Sequence, residues 1–149
     1  MSAMFEFESV VALAVEAGDT ILEIYNRHSS IDVTTKDDDS PLTEADLAAH
    51  EVIVEGLQQI DSNIPIVSEE GRVGDPMSSD ICWLVDPLDG TKEFVKRNGM
   101  FTVNIALMAR RGKRWTPVFG VVHAPVSRVT WLGGLGIPAE RRGCLLYTS

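Results

Sequence analysis

The hydrophobic pattern of this chain changes period once, and that change constrains the fold more than any other feature. Over residues 5–27, Val10, Ala14, Ala17, Ile21 and Tyr25 recur at three- and four-residue intervals, the apolar stripe of a helix lying on a core. Gly18 sits inside that helix at a cost of about 1 kcal/mol relative to alanine, which predicts close packing there. Asp37-Asp38-Asp39-Ser40-Pro41 is a polar breaker, with Ile31 to Thr35 before it a short strand or extended arm. A second helix follows to about Ile60, with Leu47, Ile53, Leu57 and Ile60 on its buried face. Thr43, three residues before Asp46, is an acidic variant of an N-cap signature. Pro65-Ile66-Val67 and Ile81 to Val85 are short apolar strands, with a loop over 72–80. Beyond Phe101 the chain reads as β structure: Phe101 to Ala109, a turn at Arg111-Gly112-Lys113, Arg114 to His123, and a strand around Arg128 to Leu132. Two helices followed by an antiparallel meander predict an α+β fold, helices layered against a sheet.

Composition narrows the class. At 149 residues and 44% hydrophobic, the chain is long enough for one domain with a real core. No apolar run approaches the roughly 18 residues of a membrane span, and the first residues lack the basic start and apolar centre of a secretory signal. Cys82 and Cys144 form neither a metal spacing nor a disulfide framework, so a reducing, cytoplasmic setting is expected. The net charge of −9 is unevenly spread. Residues 1–95 hold 21 of the 22 acids and only Arg27, Lys36, Arg72 and Lys92 as bases, whereas residues 96–149 hold nine bases and only Glu140. Those bases are scattered along strands and turns, without a dense basic helix or aromatic interleaving, which points away from nucleic acid. An acidic half that met an anionic phosphate would need cations between them.

The chemistry concentrates in Trp83-Leu84-Val85-Asp86-Pro87-Leu88-Asp89-Gly90-Thr91. A strand delivers two carboxylates into a Pro/Gly turn, and a hydroxyl and a helix start follow at Thr91-Lys92-Glu93-Phe94. Glu69 and Glu70 end the preceding strand. Oxygen donors without cysteine and with little histidine suit Mg²⁺ rather than zinc or copper. Other readings fail on spacing. Asp86-x-x-Asp89 with Pro87 between is not the Asp-x-Asp of an aspartyl-phosphate site. Asp37-Asp38-Asp39 lacks the glycine and distal glutamate of a Ca²⁺ loop, and no glycine-rich nucleotide loop ends in Gly-Lys-Ser/Thr. An ordinary strand-turn-helix junction with solvated aspartates is the alternative.

Ser68-Glu69-Glu70 followed by Asp86-Pro87-Leu88-Asp89-Gly90-Thr91 resembles the signature of the Mg²⁺-dependent, lithium-sensitive phosphatases of the inositol monophosphatase superfamily. Within it, Lys36-x-x-x-Ser40-Pro41-Leu42-Thr43-x-Ala45-Asp46 and the run Gly90 to Gly99 are most similar to bacterial 3'(2'),5'-bisphosphate nucleotidases. Phe101 to Leu107 and Gly120 to Pro125 extend the likeness, which covers roughly residues 5–135. It implies a layered α/β sandwich of the sugar-phosphatase type. It also implies that Glu69, Asp86 and the Leu88 carbonyl hold one Mg²⁺, and that Asp86 and Asp89 share a second. Gly90 and Thr91 would offer N–H groups to phosphate, so Glu69, Leu88, Asp89, Gly90 and Thr91 line the substrate. The Thr91 hydroxyl and Asp46 would orient or deprotonate the attacking water, the plain alternative for Asp46 being a first-turn cap. The implied substrate is a small phosphorylated nucleotide, 3'-phosphoadenosine 5'-phosphate, cleaved to AMP and phosphate. Inositol phosphates and fructose 1,6-bisphosphate are the alternatives. Members of this type are cytoplasmic, some of them peripheral to the inner membrane.

Other residues are assigned plainer roles. Glu70 is a neighbouring acid, Asp37-Asp38-Asp39 a solvated loop that Lys36 helps position, and Trp83 and Trp115 core. His28, His50 and His123 lack a zinc spacing and are structural or surface residues. Lys96 and Arg97 are split between a second phosphate and solvent. The resemblance implies a longer catalytic domain with a later Trp-Asp element whose aspartate completes the second metal site, yet the only acid after Glu93 is Glu140. Residues 1–142 are therefore expected to be the N-terminal part of the domain and 143–149 a non-native tail. The chain as written is expected to turn over little, or to be an inactive metal-binding fragment. Its strands at 101–132 are expected to carry unpaired edges prone to aggregation. Oligomeric state is not legible.

Overall fold

The structure, a computed structural model, describes residues 3–27 and 40–143. The predicted arm at Ile31 to Thr35, the acidic run Asp37 to Asp39, His28, Lys36 and the tail 144–149 lie outside the described residues.

Helix α1 (Ala3–Arg27) buries the predicted stripe: Val10, Ala14, Ala17 and Ile21 are fully enclosed, with Tyr25 nearly so. A Cβ at Gly18 would stand 2.7 Å from Cδ2 of the His123 ring and 3.1 Å from Pro125 Cγ, so glycine lets this helix approach the sheet. Helix α2 (Pro41–Ile60) starts earlier than predicted. Its N-cap is Ser40, whose Oγ accepts from the Thr43 N–H at 3.0 Å, with Pro41 opening the helix. Asp46 is therefore one turn inside and buried, not a cap residue. The buried face runs through Leu42, Ala45, Ala49, Ile53 and Leu57; Leu47, expected there, points to solvent.

The strands are β1 (Ile66–Ser68), β2 (Gly71–Val73), β3 (Ile81–Asp89), β4 (Thr102–Arg111), β5 (Arg114–Ala124), β6 (Val129–Gly134) and β7 (Ile137–Arg142). They form one sheet in the order β2-β1-β3-β4-β5-β6-β7, antiparallel throughout except for the β1–β3 pair. The expected α+β layering is thus observed. The 72–80 loop contains part of β2 and a 3₁₀ turn at Pro76–Ser78. β4, β5 and β6 all have neighbours on both sides, because β7 covers β6; the edges of this sheet are β2 and β7 instead. Arg142 fastens the β7 edge to α1, its guanidinium donating to both oxygens of Glu8 at 2.8 and 2.7 Å.

Alternation divides the sheet faces. Trp83, Val85, Val103, Ile105, Phe119, Val121 and Leu132 are buried on the helix side. Leu84, Val122 and Trp131 are partly exposed on the other. Trp83 is core as predicted, whereas Trp115 is half-buried with the Arg110 guanidinium over its ring. Among the described residues no helix is long and apolar enough to cross a membrane.

Candidate metal and phosphate site

β3 does not stop at Val85. It runs through Asp89, and its register against β4 shifts between Asp86, opposite Asn104, and Asp89, opposite Thr102. Three steps on β3 thus span two on β4, a bulge of the kind that re-aims side chains and accommodates a proline such as Pro87. Gly90 then turns the chain with φ +98° and caps helix α3 (Thr91–Lys96), the Phe94 N–H donating to its carbonyl at 2.9 Å. A side chain at Gly90 would be strained by that φ and would press on the Phe101 backbone at 3.2 Å. Phe94, Phe101 and Tyr25 pack at steep interplanar angles with centroids 5.0 to 5.3 Å apart, fixing α3 on α1 and on the residue that leads into β4.

Around the bulge, the carboxylates of Glu69, Asp89 and Asp46 lie near enough for their charges to act on Asp86. Burial and the charges of Glu69, Asp89 and Asp46, in that order, raise the Asp86 carboxyl from 3.8 to about 6. Only the Leu88 N–H, donating to the same carboxylate, pulls the other way. Asp86 Oδ1 is buried and accepts no hydrogen bond, an arrangement that is costly without a compensating partner. Glu69 projects at the end of β1 and is exposed, its N–H donating to the Val85 carbonyl at 3.3 Å. Asp89 is exposed, while the Leu88 side chain lies in the core, so that Leu88 can serve a site only through its backbone. Thr91 is exposed at the first residue of α3.

The donor set is oxygen-only and the orphaned Asp86 oxygen calls for a cation, which fits Mg²⁺ chemically. The spacing is looser: among the described residues no three acidic, histidine or cysteine side chains are grouped closely enough to hold a metal ion as they stand. Glu69 and Asp86 also stand at one end of a groove of about 370 Å³ on the uncovered face of the sheet, floored by Leu84, Ala106, Gly120 and Val122.

Lys96 and His123 keep to the solvent and structural readings the sequence allowed them, whereas Arg97 follows neither its phosphate nor its solvent reading. Arg97 is committed to structure. Its guanidinium lies 4.1 Å from the centroid of the Tyr25 ring and donates to the Tyr25 carbonyl at 2.9 Å. Lys96 is exposed. His123 is buried, its Nδ1 2.7 Å from Thr130 Oγ1. Two contributors were missed. Asn104 donates from Nδ2 to Asp89 Oδ2 at 3.2 Å, and His50 is hydrogen-bonded to Ser68, beside Glu69. A polar residue at an alternating position of the apolar run Phe101 to Leu107 was the available signal for Asn104. His50 lies one helical turn after Asp46, which was the signal there.

Comparison with known proteins gives a consistent answer. The profile described as "Inositol monophosphatase family" matches residues 5–149. The 3'(2'),5'-bisphosphate nucleotidase CysQ of Salmonella typhimurium is 50% identical over 135 residues, covering 87% of this chain and 52% of that protein. The crystal structure of CysQ from Bacteroides thetaiotaomicron superposes with a TM-score of 0.78 at 41% identity, over 92% of this chain and 48% of the other. The extragenic suppressor protein suhB from Bartonella henselae gives 0.77 at 27% identity, over 96% and 54%. The chain spans about half the length of the curated relatives it matches. On its ordered motifs, its layered sheet and these matches, the chain belongs to the inositol monophosphatase family.

Proposed function

We propose that the acid cluster around Asp86 is part of the catalytic centre of a Mg²⁺-dependent phosphomonoesterase acting on a bisphosphate nucleotide. The observation that carries this reading is Asp86 itself: a carboxylate oxygen buried without a partner and crowded by three further acids. The nucleotide assignment draws support from 50% identity to a 3'(2'),5'-bisphosphate nucleotidase. The substrate is taken as 3'-phosphoadenosine 5'-phosphate, the setting as cytoplasmic, and a peripheral place on the inner membrane as a variant of it.

Glu69, Asp86 and the Leu88 carbonyl would hold one ion, and Asp86 with Asp89 a second. Mg²⁺ bound there would supply Lewis-acid polarisation of phosphate oxygens and a more acidic water. Asp46 is buried beside the cluster, where it takes the proton of the attacking water as general base, with the Thr91 hydroxyl orienting that water. The water oxygen bonds to phosphorus, the ester P–O bond breaks, and the proton passes to the leaving hydroxyl. The Gly90 turn presents the Thr91 main chain to the phosphate.

Phosphate release tests this reading. It is measured with Mg²⁺ on the 149-residue chain and on the same chain joined to the C-terminal segment of the Salmonella relative. The extended chain should release phosphate from 3'-phosphoadenosine 5'-phosphate faster than from inositol phosphate or fructose 1,6-bisphosphate, with inhibition by lithium. The 149-residue chain alone should release little. Faster release from inositol phosphate would overturn the nucleotide assignment, and release untouched by Asp86→Asn would overturn the site.

A further inference from the structure

We propose that His50 is a positioning residue, clamping the turn that carries Glu69 to the helix that carries Asp46. The inference rests on the reading of Glu69 as a cation ligand, but it is carried by a separate set of contacts. His50 follows Asp46 by four residues on α2, so the two stand one above the other on the same helix face. Its Nδ1 lies 2.9 Å from Oγ of Ser68, the last residue of β1, which is 8% exposed. That same Oγ accepts from the Glu70 N–H at 3.2 Å. Glu69 lies between these anchors, with its own N–H on the Val85 carbonyl.

The Ser68 hydroxyl is therefore a junction. One lone pair closes the Ser68–Glu70 turn, and the remaining donor and acceptor capacity meets His50 in either tautomer of the ring. Through this junction the main chain of Glu69 is tied sideways to β3 and across to α2. Asp46 and Glu69 reach the cluster from different elements, and the His50–Ser68 bond fixes the position of one relative to the other. Groups that hold ligand-bearing segments in this way commonly decide metal affinity as strongly as a ligand does. Removing the ring leaves the Ser68 hydroxyl bound only within its own turn and loosens the tie between the Glu69 main chain and α2.

The test compares His50→Ala, His50→Asn, Ser68→Ala and the double variant His50→Ala/Ser68→Ala of the 149-residue chain. Asparagine places a group able to donate or accept where Nδ1 stands. Two readouts are taken: amide hydrogen exchange without metal, and Mn²⁺ affinity by electron paramagnetic resonance. His50→Ala should speed exchange at the Glu70 amide about fivefold to tenfold while the Ile105 amide in β4 is unchanged. It should also weaken Mn²⁺ binding about tenfold to a hundredfold. His50→Asn should restore both, and the double variant should be no weaker than the weaker single variant, as for two groups acting through one bond. Unchanged exchange and affinity in His50→Ala would overturn the clamp, as would losses that His50→Asn fails to repair. Asp86→Asn is the control for the reading beneath it. If Mn²⁺ affinity is insensitive to Asp86→Asn, the cation reading fails, and the exchange readout alone still decides whether His50 holds the turn.

Discussion

Asn104 Nδ2 donates to Asp89 Oδ2 across 3.2 Å, while Thr102 Oγ1 donates to Asn104 Oδ1 at 3.0 Å. The threonine fixes the amide so that its NH₂, not its oxygen, meets the carboxylate. Because the donor restrains one rotamer of Asp89, Asn104→Ala should weaken divalent-cation binding about tenfold. The fold should hold, since Asn104 lies on the uncovered face of the sheet. Titration calorimetry with Mg²⁺, paired with thermal melts, separates the two effects.

Asp86 opposes folding at neutral pH in cation-free buffer. Its folded-state pKa, about 6, exceeds its ordinary 3.8, so the folded chain holds the proton more tightly than the unfolded one. Its contribution to stability is therefore best at low pH and is lost as pH rises through about 6. A shift of that size corresponds to about 3 kcal/mol, which solvent screening at this half-buried group reduces to about 1–2 kcal/mol. Asp86→Asn should gain about that much above pH 6 in urea unfolding with chelator present, and nothing at about pH 3, below the ordinary value of 3.8. Asp86→Asn unfolding more readily than the parent at pH 7 would contradict it.

His123 titrates with the opposite consequence. Burial, and secondarily the Arg128 charge, hold its pKa below 6.5, with Asp19 pulling the other way. The unfolded chain then takes up the proton first on acidification. Its contribution is complete above about pH 6.5 and falls away as pH drops toward the folded-state value. His123→Asn, which keeps a donor for Thr130, should lose this acid sensitivity between pH 7.5 and 5.5 in urea titrations. An unaltered pH profile would refute the assignment.

Gly18→Ala should destabilise despite alanine's better helix propensity. The added methyl would meet the His123 ring at 2.7 and 3.1 Å and Pro125 at 3.1 Å. Overpacking of this kind costs about 1–3 kcal/mol, against a gain of about 1 kcal/mol from propensity. Denaturant midpoints should show a net loss, and a higher midpoint would indicate that α1 can move away freely.

Local periodicity made α1, β4 and β5 readable, because each buries one regular face. Boundaries set by single side chains were harder. Ser40 caps α2 from within a run that reads as a polar breaker, and Leu47 fits the helical spacing yet faces solvent. β3 passes through Pro87 only because a bulge removes the need for a regular ladder there. β7 was hidden by Gly133-Gly134-Leu135-Gly136-Ile137-Pro138, a run that reads as a turn and yields both strand ends. In the site, the acids were visible from their order along the chain. Asn104 and His50 were not, since each acts on a partner 15 or 18 residues away that only the folded sheet brings near.

Mn²⁺ binding to the 149-residue chain at pH 7.5, parent against Asp86→Asn, tests the cation site most directly. The parent should bind saturably, and the substitution should weaken binding by more than about tenfold, because, of the three carboxylates assigned to the ions, Asp86 is the most enclosed. Equal affinities for the two chains, or no saturable binding to the parent, would contradict the account.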